Sequence, residues 1–243
     1  HSGIGQHFHN HCEEMFVILS EGSAEFTING RTSAMQTPAG VPDTLGNAHG
    51  IYNPGTTPIQ WLNINVGLTK TYDNFDLNDN RVGAEKDKIP QFINFRIDPT
   101  LLRPAPAGLN PSGEVTYRRL LGPAVFHTPW SYFDHIAIPA GGRIAPAADA
   151  NMSVAYYVYK GEGSVTVNGE TSAIKAGDAV PVDLNQAATV TQSGGAPLEL
   201  LAIGVAKDMA AKTAYLQLPP PGRGGPPGGR GGRGPAPAGG RGN

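Results

Sequence analysis

Cysteine is almost absent from this chain. A single thiol, Cys12, among 243 residues excludes an internal disulfide and leaves the redox compartment open. No apolar run approaches the roughly 20 residues of a membrane-spanning helix. No signal-peptide pattern follows His1, so the expectation is a soluble protein, cytoplasmic or exported. Charged side chains are sparse, at 16%. The formal net charge of −2 shows no large excess of either sign, but it hides an asymmetry. From Pro219 onward there are four arginines (Arg223, Arg230, Arg233, Arg241) and no acid; taking those four from 18 leaves 14 basic against 20 acidic side chains. A body with that balance is no general polyanion binder, so nucleic acid is not an expected partner.

What the chain does have is 33 glycines and 22 prolines, which suits an all-β protein with many turns. Phe16-Val17-Ile18-Leu19 reads as a buried strand. Ala24 to Ile28 alternates and ends at Asn29-Gly30, a strong hairpin-turn signal. Ile59 to Val66 alternates again. Residues 67–114 are acidic, Asn-rich and Pro-rich with little periodicity, and read as a connection with one short helix at most. Strand patterns resume at Val115-Thr116-Tyr117 and over Ser131 to Ile138.

The second half echoes the first. Ala155 to Gly169 matches Phe16 to Gly30, Ala176 to Pro181 takes the place of Thr37 to Gly40, and Leu198 to Val205 corresponds to the strand around Trp61. Copies about 140 residues apart predict two stacked lobes of one fold. The division expected is 1–68 for the first lobe, 69–128 for the connection, 129–216 for the second lobe and 217–243 for a tail. A helical stretch over 206–215 closes the second lobe. The Gly/Pro/Arg-rich tail cannot bury enough apolar surface to order itself. Its Arg-Gly segments resemble those that bind nucleic acid, but four charges without interleaved aromatics make a solubilising tail the better reading.

Residues 7–14 read His-Phe-His-Asn-His-Cys-Glu-Glu. Imidazole and carboxylate together make an N/O site suited to Fe, Mn, Co, Ni, Cu or Zn. A further group follows at Pro38-Ala39-Gly40 and His49-Gly50-Ile51-Tyr52-Asn53.

These two groups resemble the motifs of the cupin superfamily, and the duplication resembles its bicupin members. The first motif is met by His7-x-His9, four residues, Glu14 and then Gly22, one residue late, which implies an insertion near Ser20-Glu21. The second is met by Pro38-x-Gly40 and His49-x-x-x-Asn53, with eight intervening residues that imply a longer loop. The resemblance covers about residues 3–66 and 130–206 and implies two jelly-roll β-barrel lobes in tandem. Cupin lobes normally have one or two strands before the first motif. Here only six residues precede His7, so either such strands are missing or another segment fills the edge.

In a strand, alternate residues share a face, so His7 and His9 point the same way. With Glu14 inward, Phe16 and Ile18 are inward too and form an apolar wall. The resemblance then supplies His49 from a third strand, giving His7, His9, Glu14 and His49 around one divalent transition metal ion. The set His9, His11 and Glu14 competes with it, and Glu13 is an alternative to Glu14 that would turn Phe16 outward. Cys12 is either a further ligand or a structural thiol. In the second lobe the same positions fall on Ala147, Asp149, Val154 and Ala188, which cannot hold a transition metal. That lobe is then metal-free, a structural element or a homodimer platform. His135, in a packed strand, reads as a hydrogen-bonded core residue.

Cupins with a three-His/one-Glu site include dioxygenases, decarboxylases, isomerases, lyases and sugar-modifying enzymes; others only bind ligands, and the fold does not choose among them. The expectation is a metal-dependent, dioxygenase-like oxidoreductase acting on a small oxygen-rich substrate at the first lobe. The alternative is a non-catalytic ligand- or sugar-binding module.

Overall fold

The computed structural model describes residues 1–219. The expected disordered tail therefore falls, from residue 220, outside the described residues. Seventeen strands are described: β1 Ser2–Phe8, β2 Cys12–Ile28, β3 Arg31–Asp43, β4 His49–Asn53, β5 Trp61–Gly67, β6 Phe75–Asp79, β7 Phe95–Arg96, β8 Arg103–Pro104, β9 Thr116–Leu121, β10 Trp130–Ile138, β11 Arg143–Ile144, β12 Met152–Lys160, β13 Glu162–Val167, β14 Glu170–Lys175, β15 Ala179–Val182, β16 Ala188–Gln192 and β17 Leu198–Ala206. One helix, α1 at Met209–Leu216, follows, capped by the Asp208 carboxylate accepting from the Ala211 amide. None of the described helices is long and apolar enough to cross a membrane.

β1 to β7 form one antiparallel sheet in the order β6-β1-β4-β2-β3-β7, with β5 added to β2. It bends into two layers because β2 is long and irregular. Its pairing with β3 slips by two residues between Ile18 and Gly22, around the insertion expected near Ser20-Glu21, and Gly22 takes φ 141°. The first half of β2 pairs with β5 and the second half with β4. Asn29 and Gly30, both at positive φ, turn β2 into β3 as the Asn-Gly signal predicts.

The second lobe has the same plan in two separate sheets, β15-β12-β17-β10-β9-β8 and β11-β16-β13-β14. Here the long strand is cut at Gly161 (φ 80°), where a side chain would meet the Pro197 carbonyl. The connecting segment supplies strands to both lobes. β6 and β7 edge the first sheet, and β8 and β9 edge the second. β6 pairs with β1, so a segment from the connection fills the edge in front of the first motif. In place of a short α-helix the connection has 3-10 turns at Pro99–Leu101 and Ala107–Leu109; left-handed Asn110 stops the second.

Three apolar clusters result. One, with Phe16, Ile18, Phe26 and Val41, fills the first barrel. Another, with Ile136, Ile144, Val158 and Leu200, fills the second. The third lies between the lobes and joins Met15, Val17 and Leu19 of β2 to Trp130, Phe133, Leu201 and Ile203. β2 is thus buried on both faces, which is why Met15 to Leu19 is an unbroken apolar run rather than an alternating one.

Candidate metal centre

β4 lies between β1 and β2 and pairs with both, and His49 sits opposite His7. Alternation along β1 and into the following turn brings His7 and His9 to the same interior, and Glu14 enters from β2. One donor atom from each of His7, His9, Glu14 and His49 lies within 4.8 Å of all the others, and all four residues are buried. The three Nε2 atoms converge on one oxygen, Glu14 Oε2, at 3.3, 3.1 and 2.8 Å for His7, His9 and His49.

The far side of each ring is fixed by the backbone. His7 Nδ1 donates to the Gly5 carbonyl at 2.9 Å, His49 Nδ1 to the Asn47 carbonyl at 2.9 Å, and His9 Nδ1 to the Asp73 carbonyl. Since a carbonyl only accepts, Nδ1 carries the proton in each ring, and in the neutral imidazole Nε2 presents a lone pair. Three lone pairs then face a carboxylate oxygen. Only a positively charged group among them, a metal ion or added protons, satisfies all four. Burial, opposed by Glu14 and the Asn47 carbonyl, lowers the pKa of His49, so proton charge does not accumulate there readily. His9 is raised: burial lowers it, but Glu14 and Asp73 outweigh that. Burial would raise Glu14, yet contacts from His49, His7, His9 and Asn63 hold it far below the usual carboxylate range. The donor set fits a resident transition metal: a stable anion, three rings with fixed tautomers, and hydrogen-bonded outer nitrogens that orient them.

Two residues at the site carried no readable signal. Asn63 and Asn65 stand on β5, and both side-chain amides donate to Glu14 Oε1, at 2.5 and 3.4 Å. They bind the carboxylate oxygen that the histidines leave free. Both are exposed positions of an alternating strand, whose pattern says nothing of the Glu14 contact. Trp61, on the same face, stacks on Phe16, with ring centroids 5.0 Å apart. Phe16 in turn stands against His49 at 5.4 Å. Asp43, opposite Glu14 on β3, is fully buried with neither oxygen hydrogen-bonded, and burial beside Glu14 pushes its pKa well up.

The remaining candidates lie elsewhere. Glu13 points to the other face of β2, away from the histidines. It accepts from the His127 and Thr128 amides at 2.8 and 2.9 Å and from the Thr128 hydroxyl at 2.6 Å. His11 is half exposed at the rim, 3.4 Å from Asp73. Cys12 is buried near His9 and Asp73, and burial with Asp73, Glu14 and Glu13 nearby pushes its thiol up to about 11. Asn53 closes its own loop by donating to the Thr57 carbonyl and accepting from the Gly55 amide. His135 is fully buried and its Nε2 lies 2.8 Å from Glu199 Oε2.

No protein-family model matches the chain. Over 91 residues it is 30% identical to a protein of Thermotoga maritima described as an oxalate-binding protein; the match spans 37% of this chain and 75% of that one. The chain belongs to the cupin superfamily. The fold carries the same likeness over most of its length. A salicylate 1,2-dioxygenase variant from Pseudoaminobacter salicylatoxidans, crystallised with gentisate, superposes with a TM-score of 0.65 at 16% identity and covers 88% of this chain and 67% of its own. AerE from Microcystis aeruginosa superposes with a TM-score of 0.57 at 13% identity, covering 84% and 82%. These two likenesses concern the fold alone.

Proposed function

We propose that this cupin holds one divalent transition metal ion on His7, His9, Glu14 and His49, and acts with it as a dioxygenase-like enzyme on a small oxygen-rich molecule. The observation that carries the reading is the convergence of three Nε2 lone pairs on a Glu14 oxygen, with every Nδ1 already hydrogen-bonded to backbone. A metal bound there would supply Lewis acidity and, if redox-active, one-electron chemistry. The chain's own residues do the rest. Asn63 and Asn65 fix the second oxygen of Glu14 and so keep that carboxylate from rotating. Phe16 and Trp61 make a dry wall beside His49, which strengthens every polar contact inside.

A second reading is a binding module that turns nothing over. It is favoured by the T. maritima relative, which is described as binding oxalate. It is also favoured by the burial of the four side chains, none more than 6% exposed. One experiment separates the two. Protein purified without added metal is analysed for its elements, reloaded with that metal, and given oxalate or gentisate in an oxygen-electrode cell with product analysis. Consumption of either compound supports the enzyme. Saturable binding of oxalate with no consumption of either supports the module, and absence of metal sinks both.

A further inference from the structure

The second lobe has lost the polar cluster and kept a hollow. Its barrel contains a cavity of about 600 Å³, and all four positions that align with His7, His9, Glu14 and His49 (Ala147, Asp149, Val154 and Ala188) lie on its wall. The strand pairing at these positions differs between the lobes. In the first lobe Glu14 sits opposite Asn65; in the second, Val154 sits opposite Gly204. The ring of Tyr132 lies over that glycine, so close that a β-carbon there would stand 2.1 Å from it.

New polar groups enter from the opposite wall by strand alternation. β9 contributes Tyr117 and Arg119, and β10 contributes Tyr132 and Asp134. Arg119 binds Asp134 through two contacts, Nε to Oδ1 at 2.9 Å and Nη2 to Oδ2 at 3.0 Å, and the Tyr117 hydroxyl donates to Oδ2 at 3.0 Å. The guanidinium lies against the rings of Tyr132 and Tyr215, 4.7 and 5.7 Å from their centroids, and the two rings also meet each other at 5.9 Å. Its charge is therefore already matched, and Asp149 on the wall opposes a further anion. Tyr132 and Tyr156 point hydroxyls into this apolar surround without a hydrogen-bond partner among the described residues. The volume suits one small organic molecule.

We propose that this cavity is a second, metal-free ligand site, and that it takes an uncharged ring compound bearing a hydroxyl or carbonyl group. The tyrosine rings and Met152, Val154 and Val182 receive the ring. The Tyr132 and Tyr156 hydroxyls, with the unused N–H groups of Arg119, receive the polar group. An anion would be buried without a free cation, which is unfavourable.

The test uses the full chain and the fluorescent probe 2-naphthol, with 2-naphthoate as its anionic counterpart. The expected result is one naphthol bound per chain and binding of naphthoate weaker by about tenfold or more. Ala188→Phe, which fills the cavity, should abolish naphthol binding. Tyr156→Phe, which keeps the shape, should weaken it about fivefold and carries the test if Ala188→Phe does not fold. His49→Ala, in the other lobe, should leave naphthol binding unchanged. Absent binding, preference for naphthoate, full binding by both cavity variants, or loss of binding in His49→Ala would each overturn the proposal.

Discussion

Glu13 and Glu14 are adjacent in sequence and serve opposite faces of the same strand. Glu14 Oε2 lies 2.8 Å from His49 inside the first barrel, while Glu13 Oε2 accepts from the Thr128 hydroxyl at 2.6 Å across the lobe boundary. Alternation alone separates the two roles. One carboxylate belongs to the cluster, and the other anchors the second lobe.

This separation predicts two unlike phenotypes. Glu13→Ala leaves two amides and a hydroxyl unpaired in a fully buried place, and should destabilise by about 3 kcal/mol. Metal content should be retained. Glu14→Ala should lose the metal. Denaturant unfolding and elemental analysis of both proteins check this, and a reversed pattern would contradict the assignment.

Protein purified without added metal should carry about one ion per chain, the share that one set of four ligands implies. His7→Ala and His49→Ala should abolish it. Two ions per chain would mean that the second lobe also binds metal.

Because the inter-lobe cluster is continuous with strands of both barrels, the lobes should unfold together. Leu201→Ala, at a fully buried position in that cluster, should cost about 2–5 kcal/mol and leave a single transition. Calorimetry that resolves two separate melts would show the lobes to be independent.

The His135–Glu199 contact sets an acid limit. Burial would raise Glu199, but the hydrogen bond from His135, with the charges of His135 and Lys160, depresses it overall. A depressed carboxylate stabilises the fold above its unfolded pKa, near 4.5, and that stability is lost as pH falls through the lower folded value. Glu199→Gln should therefore flatten the stability profile below about pH 4.5. An unchanged acid limb in chemical denaturation would remove this pair from the account.

Much of the site was legible because it obeys strand parity. His7, His9 and Glu14 follow from alternation with Phe16 and Ile18, and the repeat pointed to the emptied positions of the second lobe. Other residues were hidden for definite reasons. Asn63 and Asn65 are themselves exposed, and nothing in an alternating strand pattern tells that their amides reach Glu14. Glu13 finds its partners more than a hundred residues away, and no local pattern encodes such a contact. β6 is short and almost wholly exposed, Phe75 and Leu77 included, so it presents no buried face; it pairs with the edge that β1 offers. In the second lobe the Tyr132 ring of the cavity wall packs on Gly204, a contact that only strand pairing makes.

β2 carries the cluster on one side and the lobe boundary on the other, so its numbering tolerates only even changes. One residue added or removed between Glu14 and Leu19 would turn the carboxylate outward or drive Phe16 and Ile18 into the boundary. Two residues would keep both faces in phase. The register slip that this strand does carry, two residues on β2 between Ile18 and Gly22, is itself even. Length variation in relatives of this lobe should therefore gather at that bulge and in the 44–48 loop, and be missing from residues 12–18.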